Sequence, residues 1–316
     1  MSRDTTPTIA RALLALLVGL GSCATGRPER AAYDALVPAF ADGQRIVDVA
    51  TGRPLAAEEA VSRLLEARVI YIGEEAPIPW HREVAAQIVG ELAARDPGLR
   101  VALAAVPASA QRLLDGWLDG AVDDATLSIA IRGSGSEIDV FAGLQPVLSL
   151  CRRAKVPILA VGPDPALVDA ALRGDGAPPE RPDEWADLVR HRVEAHGQAS
   201  GPAAERQVAA WAVRAAAVQS HVAGATGRLV VLAEHVLVDR GLGVPLPVFA
   251  ANRASFRVVL PVTRGHLRRH DGSLGRLAFP DKRADLLWES PTDPHRRGGP
   301  APDEANRGVL RRRLNS

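Results

Sequence analysis

Val69-Ile70-Tyr71-Ile72-Gly73-Glu74-Glu75-Ala76-Pro77-Ile78-Pro79-Trp80-His81 is the stretch on which the fold turns. Its first four residues are apolar without a break, where a strand with one wet face would alternate. That pattern predicts a strand buried on both faces. Gly73 ends the run, and Pro77 and Pro79 stiffen the loop that follows. Over residues 81–94, Val84, Ile88 and Leu92 recur at four-residue spacing, the apolar stripe of a helix. A doubly buried strand passing into an amphipathic helix is half of a βαβ unit.

The same pairing repeats outward in both directions. Residues 58–67 read as a helix with Val61, Leu64 and Leu65 on one face, just before the strand. Beyond 94 come a strand at 99–106, a helix at 108–118, a helix at 144–154 and a strand at 156–162. A long Ala-rich helical region at 184–223, interrupted near 197–202, precedes strands at 228–233 and 255–262. Alternation of this kind predicts right-handed crossovers and a mostly parallel sheet with helices on both faces. The expectation is one α/β domain over 44–264. Residues 265–316, with Arg268-Arg269, the prolines of 291–302 and Arg311-Arg312-Arg313, are expected to form an Arg/Pro-rich, disordered tail that adds little to folding.

Composition narrows the class. The 316 residues are 47% hydrophobic and 24% charged, which excludes a disordered, collagen-like or coiled-coil chain. A formal net charge of +1 offers no field for nucleic acid. Near the start, Arg3 and Arg11 precede an apolar run from Ala12 to Leu20, closed by Gly21-Ser22-Cys23. This reads as an export signal, too short to span a bilayer. Leu20-Gly21-Ser22-Cys23 further resembles a bacterial lipobox. The expected organisation is therefore a signal peptide at 1–22, a Cys23 carrying lipid (palmitate), and a linker over 23–43. Of the two cysteines the other, Cys151, sits on the stripe Leu144, Val147, Leu148 and reads as a buried thiol.

In an open parallel sheet ligands bind beyond the carboxyl ends of the strands, so the residues just after each apolar run carry the chemistry. Those are Glu74 and His81 after the first strand, Gly162-Pro163-Asp164 after the 156–161 run, and Glu234 and His235 after the 228–232 run. Two imidazoles and two carboxylates at one edge could coordinate a metal or a haem iron. Plainer explanations stand beside this one: each histidine could simply be hydrogen-bonded, and each glutamate paired with an arginine. Tyr71 lies inside its strand and Tyr33 in the linker, which leaves histidine as the axial ligand type. No phosphate loop, CxxC, HExxH or GxSxG motif is present.

These strand-end pieces, in this order, resemble the ChaN-like haem-binding lipoproteins of bacteria, related to the Tiki/TraB proteins. The pieces are Val69-Ile-Tyr-Ile-Gly-Glu with His81 behind it, the stretch from Val101 through Val106-Pro-Ala-Ser-Ala-Gln-Arg-Leu-Leu-Asp115, Val156-Pro-Ile-Leu-Ala160, and Val230-Val-Leu-Ala-Glu-His-Val236 with Gly243-Val-Pro. The resemblance implies an α/β domain held at the membrane and concerned with haem or iron uptake. It implies His235, His81 and Glu74 as the haem-binding residues and, with Ala24 after the lipidated cysteine, the outer membrane. The family's glycines before the late histidine are Leu232 and Glu234 here, and its polar positions differ too: a histidine is replaced by Ala76, a glutamate by Ala104 or Ala105, and an asparagine by Gly162. A metal-assisted hydrolase needs such groups to hold an ion and activate water. The expectation is therefore a non-catalytic binding protein. A Tiki/TraB-type metal-dependent hydrolase, or a scaffold for another envelope protein, are the alternatives.

Overall fold

The computed structural model describes residues 43–75, 78–132, 140–195, 197, 199–262 and 284–290. The signal peptide, Cys23, the linker with Tyr33, and Ala76 lie outside them. The strands are β1 (Arg45–Asp48), β2 (Pro54–Leu55), β3 (Val69–Glu74), β4 (Arg100–Pro107), β5 (Ile158–Gly162), β6 (Leu229–Glu234), β7 (Phe256–Val262) and β8 (Leu286–Glu289). The helices are α1 (Ala57–Leu65), α2 (Pro79–Arg95), α3 (Gln111–Leu118), α4 (Asp124–Ile131), α5 (Val140–Ala154), α6 (Pro165–Arg173), α7 (Asp183–Ala195), α8 (Pro202–Gly224), α9 (His235–Val238) and α10 (Pro245–Asn252). The sheet runs β2-β1-β8-β7-β3-β6-β4-β5, and among these strands only β1 opposes its neighbours. A single mostly parallel α/β domain is what the sequence predicts.

Both faces of the central strands are buried. Ile70 and Ile72 pack with Val84, Ile88 and Leu148 on one side, while Val69 and Tyr71 pack with Val218, Leu237 and Leu260 on the other. Each such side chain contributes about 1.5–3 kcal/mol by leaving water. Cys151 lies buried inside the first of these clusters.

The handedness of the crossovers fixes which helix lies where. From β3 the chain steps through α2 to β4 and then through α3–α5 to β5, always in one direction across the sheet. From β5 it returns through α6–α8 to β6, which inserts between β3 and β4, and continues past β3 to β7. Right-handed connections that reverse direction must cross on the opposite face. Residues of α1–α5 accordingly share one core cluster, and residues of α7–α10 share the other. The adjacent strands β3 and β6 therefore send their chains to opposite faces, which opens a crevice between their carboxyl ends.

The domain boundary at 264 needs correction. Leu286, Leu287 and Trp288 are at most 3% exposed, and β8 lies between β1 and β7. Trp288 also donates through Nε1 to Gln44 Oε1 at 3.4 Å, tying the late strand to the start of the domain. A four-residue strand between arginine- and proline-rich stretches has too few residues to show a period. The sheet itself supplies its partners.

Both sheet edges are guarded. On one side β2 is two residues long and begins with Pro54, which has no N–H to offer. On the other, Gln111 lies along β5: its Nε2 donates to Ile158 O at 2.9 Å and its Oε1 accepts from Ala160 N at 2.6 Å. The side-chain amide thus takes the place of one residue of a further strand. Beside it runs a cleft of about 570 Å³ lined by Arg100, Leu118, Leu159, His221 and Gly224, among others.

Candidate functional site

Glu74 and Glu234 are register partners at the ends of β3 and β6, so the parallel pairing alone brings the two carboxylates side by side. Glu74 is 5% exposed, and its Oε2 lies 3.0 Å from Arg82 Nε on α2. Burial pushes the Glu74 carboxyl up to about 7, the Arg82 charge opposing the shift and the Glu234 charge adding to it. Glu74 Oε1 and Arg82 Nη1 are buried without a hydrogen-bond partner. The sequence-level alternative, a glutamate paired with a nearby arginine, therefore describes Glu74.

The next residue joins the two layers. The backbone N–H of Glu75 donates to His81 Nδ1 at 3.0 Å, on the α2 side of the sheet. Its carboxylate turns to the other side, where Oε1 lies 3.3 Å from His235 Nδ1 and is bonded by Arg192 Nη2 of α7. The hydrogen bond from His235 holds the Glu75 carboxyl well below its ordinary value, against a rise from burial. The charges of His235 and Arg192 lower it further. His235 is itself held from behind: its Nε2 lies 3.5 Å from Oδ2 of Asp239, four residues on and 2% exposed.

His81 and His235 thus converge on one residue, as their strand-end positions predict, yet both are buried, at 1% and 6% exposure. His235 reaches its place because Gly73 lets α9 pack directly on β3. A Cβ at Gly73 would stand 2.6 Å from Val238 Cγ2 and 3.4 Å from His235 Cα. Trp185 anchors the same helix by donating from Nε1 to Val236 O at 3.1 Å. Glu75, Arg192 and Asp239 are the members that the sequence reading missed. Asp239 had a signal, the i,i+4 spacing from His235. Arg192 had none, because only the packing of α7 brings it there.

The replaced family positions have a visible packing. Ala104 lies in β4 and is 5% exposed. Gly162 meets the same strand so closely that a Cβ would stand 2.5 Å from Ala104 O and 2.7 Å from Val106 O. An asparagine has no room there with this backbone. Tyr71 is fully buried, and burial pushes its phenol above the ordinary range, which disfavours the phenolate.

Known proteins can now be compared with this geometry. The family model for haem-binding uptake proteins, Tiki superfamily, ChaN, matches residues 60–248, more than half of the chain. This chain belongs to the ChaN family of the Tiki superfamily. Its match includes the crevice and every residue named there, from Glu74 to Asp239. Among solved structures, one described as cofacial heme binding to ChaN of Campylobacter jejuni superposes with a TM-score of 0.64 at 14% identity, covering 78% of this chain and 97% of that one. It shows the shared fold. A type III effector, HopBA1, covers 73% of this chain and 91% of its own at 12% identity, with a TM-score of 0.41. No curated protein matches the chain.

Whether haem fits can be judged from the donors. An imidazole that ligates iron through one nitrogen commonly gives its other N–H to a carboxylate, which fixes the ring. His235 has that backing carboxylate in the buried Asp239, and its Nδ1 faces the partly exposed Glu75. The set fits one axial histidine. His81 fits less well, because its Nδ1 already accepts the Glu75 N–H.

Proposed function

We propose that this protein is an exported, lipid-anchored member of the ChaN family that binds haem at the β3–β6 crevice through His235 and catalyses no reaction. His235, at the switch point with the buried Asp239 behind it, is the observation that carries the reading. Haem, when bound, supplies an iron that accepts an imidazole and carboxylates that accept basic groups. His235 would take the iron, Asp239 would hold the ring, and Arg192 would meet a carboxylate. Membership of a haem-binding family supports the choice of ligand, and the lipobox at Leu20-Gly21-Ser22-Cys23 supports the anchor, with outer-membrane placement following from Ala24 by analogy.

The non-catalytic part rests on the positions that changed. Ala104 and Gly162 carry no ligating group, and the backbone around Gly162 leaves no space for one.

An absorption-monitored haemin titration of the purified protein tests the reading. Binding with a Soret shift is expected, lost in His235→Ala and retained in His221→Ala, the exposed histidine beside the β5 cleft. Equal binding by parent and His235→Ala would place the ligand elsewhere. Mass spectrometry of the membrane-extracted protein should find an acylated Cys23 as its first residue. A second reading draws on the burial of His81 and His235: a scaffold that kept the fold and binds another envelope protein. Absence of a Soret shift in every variant would favour it.

A further inference from the structure

Glu75 is bound in two places at once, and both have the chemistry of a haem contact. Its carboxylate stands against His235 Nδ1 at 3.3 Å, the nitrogen left over once Asp239 has taken Nε2. The same Oε1 is bonded by Arg192 of α7. Its side chain is 27% exposed, against 7% for His235, so Glu75 lies on the solvent side of the imidazole. The Arg192 side chain is 30% exposed and closes the position from α7. The backbone N–H of Glu75 is fixed separately, on His81.

We propose that Glu75 is an internal placeholder, an autoinhibitory contact that occupies the ligand's position on His235 and Arg192 and must swing aside for haem to bind. The proposal rests on the haem reading of this crevice, and it adds what that reading lacks: a reason why a ligand site is closed by its own side chains. Swinging Glu75 out needs no change in β3, because its backbone bond to His81 is independent of the carboxylate. The movement uncovers His235 Nδ1, which gives up its proton to solvent as it takes the iron, while Asp239 keeps the ring in place. It also frees Arg192 to pair with a carboxylate of the ligand, so one intramolecular ion pair is exchanged for one intermolecular pair. Glu75 is thus a specificity device as well: a ligand that offers an iron without a carboxylate replaces the contact at His235 but not the ion pair at Arg192.

Two measurements separate this idea from the haem reading. The first needs no haem: carbethoxylation of histidines by diethyl pyrocarbonate, followed residue by residue by peptide mass spectrometry, with the exposed His221 as internal standard. Glu75→Ala and Arg192→Ala should each raise the modification rate of His235 by about tenfold, the factor that one charge-assisted hydrogen bond represents. An unchanged rate in both variants overturns the placeholder, whatever haem does. The second is haemin titration. Glu75→Ala should bind about tenfold more tightly than the parent, whereas Arg192→Ala, which opens the position but removes the carboxylate partner, should not gain. Equal gains in the two variants would overturn the exchange at Arg192. Faster modification of His235 combined with haemin binding that survives His235→Ala would show that Glu75 covers His235 but refute haem as the ligand it holds the place of.

Discussion

Two openings of the sheet among the described residues are built from opposite materials. The crevice at β3 and β6 gathers Glu74, Glu75, Glu234, His81, His235 and Asp239, and is closed by its own ion pairs. The cleft beside β5 is roomy, about 570 Å³, and mostly apolar, with its backbone groups met by the neutral amide of Gln111. The crevice exists because connections diverge to opposite faces there, which leaves strand ends uncovered and lets polar side chains collect. The cleft exists because a sheet must stop somewhere, and an edge that stops safely needs its N–H and C=O groups covered. One opening asks for a ligand; the other asks for protection.

If both openings are laid on a scaffold that is fixed elsewhere, the largest loss of stability must come from a residue that lines neither. Trp288 in β8 is that residue, fully buried and placed between β1 and β7. Trp288→Ala should cost about 3–5 kcal/mol by leaving a cavity, measured by urea unfolding. A truncation after residue 264, which deletes β8, should be worse. A cost below about 1 kcal/mol would make β8 peripheral, contrary to its burial.

The next effect is electrostatic and belongs to the crevice alone. Glu74 ionises near 7 in the folded protein against 4.5 in the ordinary state, so the folded state holds the proton more tightly. Its contribution is complete below about pH 4.5 and is lost as pH rises through about 7, on the order of 3 kcal/mol in total. Glu75 works in the opposite sense. Its folded value is depressed, so its contribution is present above its unfolded value and disappears as the solution is made acid. Unfolding midpoints between pH 4.5 and 8 should therefore fall less steeply in Glu74→Gln than in the parent, while Glu75→Gln should lose stability at neutral pH and little in acid. Parallel profiles for all three would show that these carboxylates titrate as if exposed.

At the cleft the expected effect is smaller and carries no charge. Gln111→Ala removes two hydrogen bonds to edge groups that can still reach water, about 1–2 kcal/mol. The uncovered edge of β5 should then pair with other chains, seen as concentration-dependent association in sedimentation velocity. A variant that associates no more than the parent would show that the flanking helices α3 and α8 suffice to guard the edge.

What was legible in the sequence follows the same division. Strands β3 to β7 declare themselves by unbroken apolar runs, because a strand buried on both faces has no polar positions to hide it. Strands β1, β2 and β8 are two to four residues long and are held by their neighbours, so no window contains their signal. Two short helices carry caps readable in the sequence. Asp123 accepts from Thr126 N at the start of α4, and Asp164-Pro165 with Gly174 in the left-handed region brackets α6. In the crevice, Glu74, His81 and His235 were legible as strand-end residues. Glu75 was passed over because it adjoins a better-placed glutamate, and its importance comes from Arg192, 117 positions away in sequence. Strand ends say where a crevice lies; only packing says what fills it.

The smallest expected effect lies at the entrance to β5, where the cleft begins. Lys155, exposed at the end of α5, has φ of +52°, and its N–H bonds back to Arg152 O at 3.4 Å. A left-handed residue closing a helix is the usual place for glycine, as Gly174 shows at the end of α6 with φ of +86°. A Cβ makes this conformation cost about 1 kcal/mol or more. Lys155→Gly removes that cost but gives the unfolded chain more freedom to lose, which offsets part of the gain. The net result should be about 0.5 kcal/mol of stabilisation, a rise in Tm of roughly 1–2 °C for a chain of this size. Lys155→Ala keeps the Cβ and should show no such rise. If glycine and alanine behave alike, the lysine is not strained, and the turn into β5 is held by its neighbours Arg152 and Val156 instead.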